Sequence, residues 1–498
     1  MKGQTFMKRI IILCYLTASL LFCACDNYLD LVPKGQSVLN QTSDYLGLLE
    51  DMYGYPFYSE WFLCGEATSH DMSSLENYSY PLNSTGFFWD EEFDRAIHMT
   101  ETGYSMLYST CYSKIAKYNI IIQNINNSEG SVEDKTRGIA QAKIMRALNY
   151  FYLINTYAKP YNPQTAGQEL GIILRDEFSL EKEGIQSTVA DAYLFIQQDI
   201  EDALPDLPHV GLNTFRPDKS FGYALKAKVH LFKREIEEAL SASLICIREA
   251  EMEGKHKLWN MNTEYNKGLD FISNMYGGAM PEAMFEYDGA MYSMFRMMAQ
   301  NLYFTHNYSD PENLLYQHGV NSMSPHPTII RKPIVDLFNP AQDLRYTFSM
   351  GTMINLPTSE PGSISLNNMM VTWNCGGIKL SEVYLIAAEC YSRKKEKDNA
   401  LKYVNDVRKN RIIAKYYTDL TADTPEEAML IVRQERKREL LLTSNGFFDM
   451  RRFCTEFNET LTREYDGNVY TLKPSSHLLT YPFPISAMQN SKLTQNSK

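Results

Sequence analysis

The chain has 498 residues, 22% charged and 44% apolar, which excludes a disordered polymer and leaves ample length for a sizeable core. Its formal net charge of -12 disfavours nucleic acid and anionic lipid as partners, since both demand a basic face. Aromatic residues make up 12%, led by 34 Tyr, a composition that suits either an aromatic-rich binding surface or a core filled with tyrosine.

At the N-terminus, Lys8 and Arg9 precede an apolar run from Ile10 to Phe22. That run is too short to span a bilayer and has the length of a signal-peptide core. It ends in Leu21-Phe22-Cys23-Ala24-Cys25, a small residue followed by Cys, where a bacterial lipoprotein signal is cut and the Cys takes a lipid. The expectation is a signal over residues 1–24 and a lipid anchor at Cys25, since Cys23 follows the bulky Phe22. Losing Lys2, Lys8 and Arg9 removes three positive charges and leaves -15 for the mature body, 25–498. No other stretch approaches about 18 consecutive apolar residues, so the expected membrane contact is through the lipid alone.

Helical periodicity dominates about 100–256 and 379–455, while about 45–98 and 257–378 are rich in Gly, Pro, Asn, Tyr and Met with little helical period. The pattern predicts helices at Tyr108 to Ile125, Ser131 to Tyr157, from Ser187 or Thr188 to Leu204, and Ser220 to Glu251 with a break near Lys233. Further helices are expected at Lys379 to Ser392, Asp398 to Asn410 and from Thr424, where Pro425 and Glu427 complete a capping box. In the third of these, Val189, Tyr193, Ile196, Ile200 and Leu204 make one apolar face, stopped by Pro205 and Pro208. Two hairpins share a design: Leu225 to Phe232, then a charged turn, then Ala239-Leu240; and Leu385 to Tyr391, then Lys394 to Lys397, then Ala400-Leu401. Such pairs follow the logic of tetratricopeptide solenoids, so the expected fold is mostly α, a right-handed stack of helix pairs. The irregular segments, too long to be structureless, are expected to hold loops, short helices and a few short strands, and to carry the binding residues.

Six Cys outside the N-terminal segment (Cys64, Cys111, Cys246, Cys375, Cys390, Cys454) are scattered, without a metal or disulfide framework. The nine His form no H-E-x-x-H and no Cys/His cluster, and no Walker loop, dinucleotide fingerprint or nucleophile elbow is present. Neither a metal nor a cofactor is expected.

A series of motifs in a fixed order resembles the SusD/RagB family of outer-membrane nutrient-binding lipoproteins. Cys25-Asp26-Asn27-Tyr28-Leu29-Asp30-Leu31-Val32-Pro33 is similar to its anchor and tail, Tyr112 to Asn119 to its Y-x-x-I-x-x-x-N helix, and Ala142 to Leu153 to its A-x-x-x-R-A-x-x-Y-F-x-L helix. Asp336-Leu337-Phe338, Asp343-Leu344-Arg345, the run from Leu380 to Arg408, Glu435 to Phe453 and Pro482-Phe483-Pro484-Ile485 follow in the family's order. The chain departs at Ser444-Asn445-Gly446-Phe447, where the family has Glu-Gly-x-Arg, and it lacks a usual Trp near Tyr108. The resemblance implies four tetratricopeptide-like helix pairs and a role as the ligand-capturing lid of a SusC-like TonB-dependent barrel, displayed on the cell surface. The cargo it implies is a glycan or oligosaccharide; a peptide in the same transporter role is the alternative, and a surface glycoside hydrolase a distant one.

The most enzyme-like feature is Glu435 with Glu439, one helical turn apart. A single helix face cannot flank a sugar from both sides, and the neighbouring Arg433, Arg436, Lys437, Arg438, Arg451 and Arg452 hold both carboxylates ionised, the wrong state for a general acid. No enzymatic activity is expected. Sugars lie flat on aromatic rings and need amides or charged groups for their hydroxyls. The candidates are therefore Tyr78, Tyr80, Asn83 and Trp89 on one Gly/Asn/Ser-rich stretch, Trp61, and Tyr276 and Tyr292 in the second irregular region. For any one ring, core filling is an equally good account. Met294, Met297 and Met298 fall at helical spacing, which favours packing over a binding groove.

Overall fold

In the computed structural model, the residues described are 39–50, 68–69, 81–99, 106–179, 181–252, 254–278, 281–295, 307–317, 328–350, 362, 364–366, 374–441, 443–465, 467–489 and 491–496. Ten helices carry the architecture: α1 Met106–Asn124, α2 Val132–Tyr157, α3 Val189–Ala203, α4 Lys219–Lys233, α5 Ile236–Met252, α6 Met261–Met275, α7 Leu380–Arg393, α8 Lys397–Arg408, α9 Pro425–Glu439 and α10 Asn445–Glu456. Short strands are β1 Thr68–Ser69, β2 Leu170–Ile173, β3 Gln186–Thr188, β4 Asn313–Leu315, β5 Thr328–Ile330, β6 Ile364–Leu366, β7 Ile378–Lys379, β8 Leu461–Tyr465 and β9 Asn468–Leu472. They form antiparallel pairs β2–β3, β4–β7 and β8–β9 and a three-stranded sheet in the order β1-β5-β6.

The frame is a stack in which each helix packs on the next: α1 on α2, α2 on α3, α4 on α5, α5 on α7, and α7 on both α8 and α9. The fold is mostly helical, as expected, and the paired helices are tetratricopeptide-like. The two hairpins recognised from their charged turns have the same geometry. Arg234 between α4 and α5 has φ 65° and Lys395 between α7 and α8 has φ 64°. In each turn the next amide reaches back five residues, Glu235 N to His230 O at 3.0 Å and Glu396 N to Tyr391 O at 2.9 Å. That is a Schellman ending, and Ala239 and Ala400 then begin the return helix by donating to the carbonyls of Glu235 and Glu396.

Helix starts follow the sequence closely. Thr188 caps α3 by accepting from Asp191 N at 3.0 Å, and Thr424 caps α9 by accepting from Glu427 N at 3.1 Å. The reciprocal half of the second box is displaced by one residue, with Glu427 accepting from Asp423 N at 2.8 Å instead of Thr424 N. Helix α7 lies deepest, with every residue from Leu380 to Cys390 buried. Its two carboxylates are paired: Glu382 meets Lys228 of α4 at 2.9 Å, and Glu389 accepts from Arg452 of α10 at 2.6 Å through both oxygens. Two motif residues also meet, since Arg146 forms a two-nitrogen pair with Asp199 at 2.7 Å and reaches Asn119 Oδ1 at 2.6 Å, joining α1, α2 and α3. Cys111, Cys246, Cys375, Cys390 and Cys454 are all buried, where the thiol packs as a small apolar group.

A second, smaller core stands apart from the frame's. Met261, Tyr265, Ile272, Phe285, Phe295, Leu344 and Phe348 form it, with Trp259, Leu269, Met291, Met294 and Ile413 packed against it. Helix α6, at its centre, falls in a region read as irregular; Met261, Tyr265, Leu269 and Ile272 do carry a helical period, masked by the Asn and Gly between them. Met294 packs here as its spacing suggested, while Met297 and Met298 lie outside the described residues.

Candidate ligand-binding surface

The second core is locked to the frame by buried charge. Arg345 donates to Asp343 at 2.8 Å, Glu435 at 2.7 Å and Glu439 at 2.9 Å. Arg411 donates to Glu439 at 2.6 Å, to Glu312 at 2.7 Å and to the carbonyl of Trp259 at 2.7 Å. Burial opposes ionisation of both Glu435 and Glu439. The arginines override it, so that Glu435 falls below its ordinary range and Glu439 is held at about 2. Both are therefore fixed anions, as their basic setting suggested, although most of the pairing comes from elsewhere than expected. Of the neighbouring basic residues Arg438 pairs with Glu435, while Arg433 pairs with Glu459 and Arg436 with Asp449.

On the outside of this core lies a set of exposed rings. Phe271 and Met275 are one turn apart on α6, and both are more than half exposed; Tyr276, 53% exposed, ends the helix. The Tyr276 hydroxyl approaches Met294 Sδ at 3.5 Å. Tyr287, 40% exposed, meets Tyr292 at 5.5 Å and Tyr346 at 6.2 Å between ring centroids. Lys415 holds the segment below by bonding Glu282 at 2.9 Å and Glu286 at 2.5 Å, and the Tyr416 hydroxyl lies 3.4 Å from Glu286. Tyr276 and Tyr292 are thus brought onto one small unit, and Phe271, Met275 and Tyr287 join them.

The other expected group behaves differently. Tyr78, Tyr80 and Trp61, like Cys25, lie outside the described residues. Asn83 is on a helix, Pro81–Phe88, and not on a loop. Trp89 is only 5% exposed, which corrects the expectation that a ring on a Gly/Asn/Ser-rich stretch stays accessible. Its ring stacks on the Arg463 guanidinium at 4.3 Å, with Phe87 on the same cation at 4.7 Å. Phe87 and Phe88 also pack on Tyr465 of β8, so the β8–β9 hairpin covers this segment. Trp89 packs as a structural residue in a left-handed helix ending, φ 50°.

A separate groove of about 380 Å³ lies in the frame, between α1, the chain after β2 and the C-terminal segment around Ala487 and Ser491. Tyr108, Tyr112, Asn119, Arg175 and Phe178 line it. Nothing in the local sequence pattern around Arg175 pointed to it, because its walls come from three distant segments.

Among the described residues no helix is long and apolar enough to cross a membrane, and no group of three His, Cys, Asp or Glu side chains is placed to hold a metal ion.

Comparison with known proteins agrees with this architecture. A family model described as SusD family matches residues 365–497, and one described as starch-binding associating with outer membrane matches 28–231. The chain belongs to the SusD/RagB family. Among other SusD-like proteins, P25 of Formosa agariphila is 23% identical over 418 residues, covering 76% of this chain and 75% of its own. A SusD-like protein of Bacteroides ovatus is 30% identical over 168 residues, 31% of this chain and 28% of its own. The SusD fold is shared with a SusD superfamily protein of Bacteroides vulgatus at TM-score 0.66 and 17% identity, covering 92% of this chain and 99% of that one. A SusD-like carbohydrate binding protein of Bacteroides fragilis gives TM-score 0.61 at 15% identity, covering 90% and 98%.

Proposed function

We propose that this SusD-like protein is a non-catalytic, surface-displayed binding component, lipid-anchored at Cys25, that captures a glycan and passes it to a SusC-like TonB-dependent barrel. The observation that carries the reading is the exposure of the Phe271, Tyr276 and Tyr287 rings on the unit built around a small core of its own. Flat apolar rings beside polar groups suit the C–H faces and hydroxyls of sugars. The family description, starch-binding associating with outer membrane, supports the cargo class and the location, and the carbohydrate-binding name of the Bacteroides fragilis relative points the same way. Glu435 and Glu439, paired to arginines on several sides, argue against a general acid at the one place where a carboxylate pair invited it.

The test is affinity electrophoresis of the mature protein in gels carrying a panel of polysaccharides. Retardation by at least one polysaccharide, lost in Tyr276→Ala, is expected. Saturable binding of oligopeptides with no polysaccharide retarded would overturn the glycan assignment. Release of reducing sugar that disappears in Glu435→Gln would overturn the non-catalytic one.

A further inference from the structure

The groove beside α1 has a construction that the ring surface lacks: a guanidinium on a firmly held stretch of backbone, with no carboxylate at ion-pair distance among the described residues. The backbone of Arg175 is clamped on three counts. Its amide donates to Tyr150 Oη at 2.7 Å, and its carbonyl accepts from Tyr150 Oη at 2.9 Å and from Asn119 Nδ2 at 3.0 Å. Among the described residues its guanidinium donates to the carbonyl of Lys182 at 3.1 Å and has no carboxylate within ion-pair distance. The carboxylates beside it are already engaged, since Lys182 binds Asp176 at 2.8 Å and Glu177 at 2.9 Å. A guanidinium presents a planar fork that matches a carboxylate with two parallel hydrogen bonds.

Besides the polar Asn119, Ser179 and Ser491 and the Lys182-paired Glu177, the remaining walls carry aromatic and aliphatic side chains. The Tyr108 and Tyr112 rings stand 4.6 Å apart, and Phe178 is 45% exposed at the rim. Burial pushes the Tyr108 phenol up to about 12, and Tyr112 is also raised by burial, so both rings are neutral and neither supplies a counter-charge to Arg175. The volume of about 380 Å³ falls within the usual range of small-ligand pockets, about 300–1,000 Å³.

We propose that this groove is a second subsite, taking a carboxylated sugar unit, a uronate, of the captured glycan, with its carboxylate on Arg175 and its ring against Tyr108, Tyr112 and Phe178. The proposal rests on the glycan-capture reading and narrows it to acidic glycans.

The experiment is calorimetric titration of the full mature chain with oligogalacturonate and oligoglucuronate, each beside its methyl-esterified form, with a free-carboxylate tripeptide as a further probe. At least one acid form is expected to bind on the order of tenfold more tightly than its ester. Arg175→Met should remove that preference and Arg175→Lys should keep part of it, while Phe178→Ala, at an exposed position, should weaken acid and ester together. Thermal melts of each variant identify any that fail to fold. Equal binding of acid and ester, a preference that survives Arg175→Met, or a preference shown only by the tripeptide would overturn the subsite. If neutral polysaccharide is still retarded through Tyr276 in that case, glycan capture stands and the uronate subsite alone falls.

Discussion

The Arg411 guanidinium meets the Glu439 carboxylate through two nitrogens, Nη2 at 2.6 Å and Nε at 3.1 Å, with both side chains buried. The pair joins the strand-like connection after α8 to the end of α9, and Glu312 and Arg345 extend it into the ring-bearing unit. Removing one partner strands a buried charge, so Glu439→Gln is expected to cost roughly 3–5 kcal/mol. The exposed pair Lys402–Asp406, 3.2 Å apart on α8, is the control: Lys402→Ala should change stability by less than about 0.5 kcal/mol. Urea denaturation of the two variants beside the parent measures both.

Acid should unfold the protein from the same place. Arg411 and Arg345 hold Glu439 at about 2 against burial, and Glu389, Glu435 and Asp449 are lowered in the same way by their arginines. A carboxyl whose folded value lies below its unfolded value, about 4.5 for Glu, stabilises the fold fully above that unfolded value and loses the contribution as pH falls through the folded one. Glu312 and Asp199, raised by burial, run the other way, their contributions fading as pH rises. With four groups lowered against two raised, stability to urea should fall between about pH 5 and pH 2. The decline should be shallower in Glu439→Gln, followed by circular dichroism.

Trp89 and Tyr276 should separate cleanly. Truncating the buried indole in Trp89→Ala empties a packed site against Arg463 and is expected to cost roughly 3–5 kcal/mol. Truncating the exposed Tyr276 should leave the melting temperature within about a degree or two while lowering glycan retention. Melting curves and affinity gels on the same two variants check both halves.

The matched hairpin turns give a fourth handle on stability. Lys395 holds φ 64° without the freedom of glycine and is exposed, so Lys395→Gly should stabilise the protein by about 0.5–1 kcal/mol. Lys395→Ala should not. Thermal unfolding of the pair distinguishes relief of backbone strain from loss of the charge.

What could be read in the chain, and what could not, follows from the range of the forces involved. The faces of α3 and the caps at Thr188 and Thr424 are local, and the break near Lys233 is written in its charged turn, so these elements were legible. The ionised state of Glu435 and Glu439 was also legible from nearby basic residues, but Arg345 and Arg411, their main partners, are brought in by tertiary folding. Trp89 was misread because a hairpin far downstream buries it, and no local pattern announces that. Helix α6 went unread because its apolar period is diluted by Asn262, Asn266 and Gly268. Phe271 and Met275, on its open side, went unread with it.

Because Ile272, Phe285 and Phe348 pack in a cluster separate from the frame's, a change of volume there is felt first within that cluster. Substitutions on the outward face of α6 therefore fall first on that small cluster, and the exposed rings can change while the stacked helices keep their packing. A graft that exchanged 257–295 between relatives would need to keep the salt lock at Arg411, the Leu344 and Phe348 side chains that complete the small core, and Lys415 for Glu282 and Glu286.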